Sequence, residues 1–206
     1  MKKNLAVIAA LAVLTLSGCA LTTDRIDLQY APQPGVSKVE GAERVSVSVQ
    51  VNDVRSDKSK VSSKKNGYGM EMAPILANED VAVTVRRAIE DELKQRGFVL
   101  APDALVQISG DLTRFYNDHK IGFFAGDAVA DLNLNVVVHS KGGKTLFSKQ
   151  IMTQGVEPNT QLASGENARL ALARALESGM KALFEDQAFL ASLVAANESS
   201  AEVAKK

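Results

Sequence analysis

The 206-residue chain carries 24 Lys plus Arg against 24 Asp plus Glu, a formal charge of zero with neutral histidine. That balance excludes the broad basic field that nucleic acid selects, and a single cysteine excludes a disulfide framework within the chain. The length suits one core, since a domain of about 150 residues already buries roughly 68–70% of the surface its unfolded chain exposes.

The chain opens with Lys2 and Lys3, an apolar run from Leu5 to Leu16, and then Ser17 and Gly18 before Cys19. A basic start, an apolar middle and small residues are the layout of a secretory signal with its cleavage site. The run is about a dozen residues, short of the roughly 20 that a membrane-spanning helix needs. Leu16-Ser17-Gly18-Cys19 resembles the bacterial lipobox. The resemblance implies that residues 1–18 are removed and that Cys19 takes a diacylglyceryl thioether, becomes the first residue and is acylated on its new amino group. Each buried methylene contributes about 0.8 kcal/mol, and two acyl signals suffice for stable anchoring, so three chains hold firmly. By resemblance to lipoprotein sorting, Ala20 in place of aspartate implies the outer membrane, with the domain facing the periplasm. Loss of Lys2 and Lys3 leaves a net charge of about −2, still no field for nucleic acid. Once acylated, Cys19 offers no thiol for a disulfide, a metal or redox chemistry.

From residue 19 to 42 the chain holds Pro32, Pro34 and Gly35 among scattered polar residues, which reads as a flexible tether. Val45, Val47, Val49 and Val51 then alternate with polar residues, as in a half-buried strand. Asp53-Val54-Arg55-Ser56-Asp57 leads into a lysine-rich loop through Gly69, where the alternation of Tyr68, Met70 and Met72 suggests a short strand before Pro74. Residues 78–96 form a helix with Asn78 as N-cap, a basic last turn and Gly97 beyond it. Its apolar face is Val81, Val85, Ala88, Ile89 and Leu93.

Two strands follow, one on Val106, Ile108 and Leu112 and one on Leu132, Leu134, Val136 and Val138, each with a polar opposite face. Ser140-Lys141-Gly142-Gly143 turns the second into a third strand near 144–153. A helix begins near Ser164 with Leu172, Leu176, Met180 and Leu183 on one face. Asp186 caps a short terminal helix carrying Phe189, Leu190 and Leu193, and residues 197–206 read as a disordered tail. One-faced strands and striped helices are satisfied together by an α+β, two-layer sandwich: a mixed, mostly antiparallel sheet with two main helices on one face. The domain spans 43–196.

The lipobox, the 45–51 strand running into Asp53-x-Arg55-x-Asp57, the helix ending Lys94-Gln95-Arg96-Gly97-Phe98, the Gly142-Gly143 hairpin and the closing helix resemble the YajG family of bacterial lipoproteins. The resemblance runs through nearly the whole chain in order and spacing. It implies an envelope lipoprotein and supplies no catalytic residues.

The candidate sites follow from side-chain chemistry. His119 and His139 lie on different segments without a thiol or a His-x-x-x-His pair, whereas a zinc site takes three or four protein ligands, so no metal or other cofactor is expected. Asp53, Arg55 and Asp57 alternate and could line one strand face as a ligand site, or close the strand into its loop as a local ion pair. No nucleophile elbow or phosphate-binding glycine loop is present, so an enzyme is not expected. Lys120-Ile121-Gly122-Phe123-Phe124-Ala125-Gly126 is apolar, aromatic and glycine-bearing between two strands. Exposed, Ile121, Phe123 and Phe124, with Tyr68 and Met70, would form a contact for a partner or a lipid headgroup region. Buried, the phenylalanines would cap the core from a bent strand. Solvent accessibility decides between the two.

Three function classes remain. The leading one is a non-enzymatic interaction or scaffold lipoprotein, attached to the membrane through its lipid and contacting another envelope protein or a cell-wall component. The second is a carrier or sensor of a small apolar ligand held between sheet and helices. The third is an envelope-polymer hydrolase, which would need paired carboxylates in a cleft.

Overall fold

The computed structural model describes residues 21–203. The signal segment and Cys19 lie outside the described residues. Eight strands and three α-helices follow in the order β1 (Asp24–Ile26), β2 (Ser46–Asp53), β3 (Ser62–Lys65), β4 (Glu71–Ala77), α1 (Val81–Gln95), β5 (Val99–Leu100), β6 (Val106–Lys120), β7 (Gly126–Ser140), β8 (Thr145–Thr160), α2 (Gly165–Phe184) and α3 (Gln187–Val203). The fold is the expected α+β sandwich. A mixed five-stranded sheet, ordered β5-β2-β6-β7-β8, carries helices on one face, and a second, three-stranded sheet ordered β1-β4-β3 stands beside it.

The large sheet is built on two long antiparallel pairings, β6 with β7 and β7 with β8, while β2 joins β6 in parallel. The strands run far past the apolar alternation that announces them. In β6 a bulge between Leu112 and Arg114 shifts the register, so that Val106, Ile108 and Leu112 point inward before it and Phe115, Asn117 and His119 after it. In the first half of β7 the inward residues are the small Ala128 and Ala130. They are small because α2 presses on the sheet there. A Cβ on Gly155 of β8 would stand 2.2 Å from the Ala171 carbonyl oxygen and from the Ala175 nitrogen, so only glycine admits the helix at this distance.

The helices follow their stripes. Val81, Val85, Ala88, Ile89 and Leu93 of α1 are all buried. Its N-cap is Asp80, whose carboxylate accepts the Ala82 N–H at 2.9 Å, and not Asn78, which instead donates to Asp27. Ser164 caps α2 by accepting the Asn167 N–H at 3.3 Å. Asp186 accepts the N–H groups of Ala188 and Phe189, but the helix it starts is longer than expected and continues to Val203 into the segment read as a disordered tail. Phe189 stacks edge-on against Phe147 and Phe184, closing the core.

Three expectations are corrected by tertiary contacts. Residues 24–33 of the expected flexible tether are docked on the domain instead. Asp24–Ile26 pairs with Ile75, Leu76 and Ala77, the Tyr30 hydroxyl donates to Glu92 at 2.5 Å, and the Gln33 N–H donates to the same carboxylate at 2.8 Å. Glu92 is buried and also ion-paired with Arg96, whose guanidinium sits 4.6 Å from the Phe184 ring centroid. Burial first, then the Glu92 bond, pushes the Tyr30 hydroxyl well above its ordinary value. Secondly, the lysine-rich loop contains a strand, β3, whose Ser62, Ser63 and Lys64 are buried despite their polarity. Thirdly, β4 runs through Pro74 rather than stopping before it: Pro74 lies opposite Ser63 of β3, and on the other side β1 begins pairing only at Ile75.

Candidate functional site

The β6–β7 hairpin pairs out to Lys120 and Asp127, which leaves residues 121–125 as its tip. The backbone of the tip folds closely on itself at its two glycines. A Cβ on Gly122 would lie 2.0 Å from the Ala125 carbonyl oxygen, and one on Gly126 would lie 1.9 Å from that of Lys120. From this tight loop Phe123 and Phe124 project to solvent, 95% and 90% exposed, with ring centroids 4.8 Å apart in an edge-to-face pair. They do not cap the core. Ile121 is exposed beside them.

A second turn lies alongside. The Asn66 side chain accepts the Tyr68 and Met70 N–H groups at 3.0 and 3.1 Å, fixing the β3–β4 turn that presents Tyr68, 92% exposed, and Met70. A third segment, between β8 and α2, adds the exposed Leu162. Lys65, His119, Phe123, Phe124, Thr160 and Leu162 are among the residues around a hollow of about 390 Å³ between these loops. The five expected contact residues, Ile121, Phe123, Phe124, Tyr68 and Met70, thus share one end of the molecule. Leu162 lines the same hollow and Leu21 directly precedes the Thr22 that Lys64 reaches; both escaped sequence reasoning, because each is the single large apolar side chain of a stretch without periodicity.

Two cations at this end share one carboxylate. Lys65 donates to Asp118 at 2.5 Å and to the His119 carbonyl at 3.1 Å, while Lys120 donates to the other Asp118 oxygen at 2.6 Å. Burial alone would raise the Asp118 carboxyl, but the hydrogen bonds and charges of the two lysines bring it below its usual range. His119 is 2% exposed with neither ring nitrogen hydrogen-bonded. Desolvation, reinforced by the Lys65 cation and opposed by Asp118, pushes its imidazole down to about 4.

Asp53 and Arg55 meet, but Asp57 stands apart. The Arg55 guanidinium binds Asp53 through two bonds of 3.0 and 2.8 Å, and donates further to the carbonyls of Lys60 and Phe115 at 3.3 and 3.1 Å. This is where β2 leaves β6 and β3 takes its place, the Asn117 N–H donating to the Val61 carbonyl at 2.8 Å. Arg55 therefore satisfies main-chain acceptors at the seam between the two sheets. Desolvation is outweighed at Asp53 by the Arg55 side chain and N–H, and its carboxyl lies below the ordinary value. Asp57 instead accepts the N–H and hydroxyl of Ser59. A polar cleft of about 680 Å³ opens beside the seam, lined by Asp53, Arg55, Lys58 and the N-terminal end of α1. His139 is bonded to Thr145 at the far end of the sheet from His119. Among the described residues no cluster of three or more His, Cys, Asp or Glu side chains could hold a metal, and no helix is long and apolar enough to cross a membrane.

Comparison with solved structures places the fold in a class. The crystal structure of protein XCC0632 from Xanthomonas campestris superposes with a TM-score of 0.51 at 13% identity, covering 87% of this chain and 99% of that one. Lipoprotein GNA1162 from Neisseria meningitidis is a more distant match, with a TM-score of 0.31 at 16% identity over 69% of this chain and 99% of that one. A neuraminyllactose-binding hemagglutinin homolog from Helicobacter pylori gives 0.40 at 9% identity over 86% of this chain and all of that one. No curated protein matches the chain by sequence. A family profile described as uncharacterized lipoprotein matches residues 32–193, and the chain belongs to that lipoprotein family. Membership implies a membrane-anchored protein of the cell envelope.

Proposed function

We propose that this chain is a YajG-type lipoprotein, acylated at Cys19 after removal of residues 1–18, anchored in the outer membrane with its domain in the periplasm. It acts without enzymatic chemistry as an interaction or scaffold module, touching another component of the envelope through its apolar end. One observation carries the reading: Phe123 and Phe124 stand almost wholly in solvent on a tight turn that leaves no room for a side chain at Gly122 or Gly126. Exposing two aromatic rings forgoes roughly 1.5–3 kcal/mol of burial each, a cost that a contact surface recovers when occupied. The lipobox supports the anchor and Ala20 supports the outer membrane.

A photo-crosslinking residue introduced at position 123 of the full chain, activated in intact cells, tests this reading. A discrete adduct with an envelope component is expected, together with its loss when Phe124→Ser is added. Absence of any adduct, with the protein present in the membrane fraction, overturns the assignment of the surface.

A further inference from the structure

The first described residues and the aromatic tip lie at the same end of the molecule. Asp24 is ion-paired with Lys64 at 2.8 Å and accepts the Gly165 N–H at 2.9 Å, while Lys64 also reaches the Thr22 hydroxyl at 3.4 Å. Lys65, next to Lys64, and Ala163, two residues before Gly165, border the hollow beneath Phe123 and Phe124. Direction agrees with position. Because β1 runs parallel to β4, the chain before Asp24 heads towards the beginning of β4 and the 66–70 turn that carries Tyr68.

The reach of the anchor follows from covalent geometry. Cys19 precedes Asp24 by five residues, which span at most about 16–18 Å. The long strands of the main sheet extend about 50 Å at 3.3 Å per residue, so the turn at 140–144 cannot come down to the same surface. The leash is short.

Exposed apolar side chains are concentrated where the leash ends. Phe123, Phe124 and Leu162 line the hollow, Tyr68 and Met70 lie on the turn that continues from its Lys65–Gly67 border, and Leu21 precedes the Thr22 that Lys64 reaches, so four separate segments bring exposed apolar side chains to this end. We infer that the 121–125 tip and the Tyr68 turn enter the lipid leaflet that holds the Cys19 acyl chains, so that the domain stands on the membrane by its apolar end with the main sheet rising from the surface. This deepens the proposed function by naming the bilayer as the contact, and it rests on acylation at Cys19. Aromatic rings with an apolar body suit the boundary between headgroups and acyl chains, and Tyr68 can keep its hydroxyl among the headgroups. Lys64 is matched by Asp24, and Lys65 and Lys120 share Asp118. These pairs leave one unit of positive charge in excess, so insertion is driven chiefly by apolar contact and depends only weakly on salt or on the fraction of anionic lipid.

The chain has no tryptophan, so single-tryptophan variants report cleanly. The test uses mature acylated protein in phosphatidylethanolamine and phosphatidylglycerol vesicles, carrying either Phe124→Trp at the tip or Lys144→Trp at the opposite end. For Phe124→Trp the emission is expected to shift to shorter wavelength on reconstitution and to lose most of its intensity to lipids brominated on the acyl chains. For Lys144→Trp neither change is expected. A Phe124→Trp signal that stays water-like and responds only to aqueous quencher overturns the inference. If that result is accompanied by an in-cell protein adduct at position 123, the interaction module stands and only the bilayer contact fails; if no adduct forms either, both readings fail.

Discussion

Replacing His119 with leucine should remove a pH dependence of stability between about pH 7.5 and 5.0. The imidazole is 2% exposed, lacks a hydrogen-bond partner at either nitrogen, and is pushed by desolvation from 6.5 down to about 4. The unfolded chain takes up a proton near pH 6.5 while the folded chain refuses it until about pH 4. Stability from this group is therefore fully present above pH 6.5 and is lost as the pH falls towards 4. With 1.36 kcal/mol per unit, the whole window is worth about 3 kcal/mol, and about 2 kcal/mol of it disappears between pH 7.5 and 5.0. The shifted carboxylates, Asp118 among them, lie below their ordinary values and stay charged through this range. Urea unfolding at steps from pH 7.5 to 5.0, extrapolated to water, should give a curve that falls by about 2 kcal/mol more for the natural chain than for His119→Leu. At pH 7.5 His119→Leu should be at least as stable as the natural chain, because leucine removes two buried ring nitrogens that have no hydrogen-bond partner. Parallel curves for the two proteins would refute the reasoning, since they would mean that His119 titrates alike in the folded and unfolded chain.

Three further substitutions, at two positions, probe the frame behind the tip. Arg55→Ala strands the Asp53 carboxylate and the Phe115 carbonyl at the seam, and should lower stability by about 3–5 kcal/mol in urea unfolding; Arg55→Lys, unable to make the two-pronged bond, should recover only part of that loss. A cost under about 0.5 kcal/mol, typical of a surface position, would show that the seam does not depend on Arg55. Gly155→Ala drives a methyl into the α2 backbone and should cost at least about 2–3 kcal/mol, visible as a lower melting temperature by circular dichroism. An unchanged melting temperature would mean that α2 is free to lift off the sheet.

The sequence made some of this legible and hid the rest for identifiable reasons. Helix α1 was readable because its stripe, basic last turn and following glycine agree with one another, and the same holds for Ser164 and the stripe of α2. Strand β6 was readable only to Leu112, where the bulge resets the alternation and Phe115, Asn117 and His119 take over the inner face. The start of β7 was hidden because close approach of α2 demands alanines in place of large apolar residues. Strand β3 and the docked 24–33 segment were hidden because side-chain partners distant in sequence bury them: Ser62 meets Asn117, Lys64 meets Asp24, and Tyr30 meets Glu92. The tip itself stood out as Gly-Phe-Phe-Ala-Gly, but only the structure separates display of the rings from capping of the core. Its neighbours Leu21 and Leu162 could not be grouped with it without the parallel pairing of β1 and β4.

The central claim is that the domain is held to the envelope membrane by lipid on Cys19. Intact-mass spectrometry of the protein extracted from membranes tests it most directly. The predicted result is a chain beginning at Cys19, heavier than the polypeptide from that residue onward by a diacylglyceryl group and one amide-linked acyl chain, with the added mass absent from Cys19→Ser. A mature chain with an unmodified Cys19, or one that retains residues 1–18, would contradict the account.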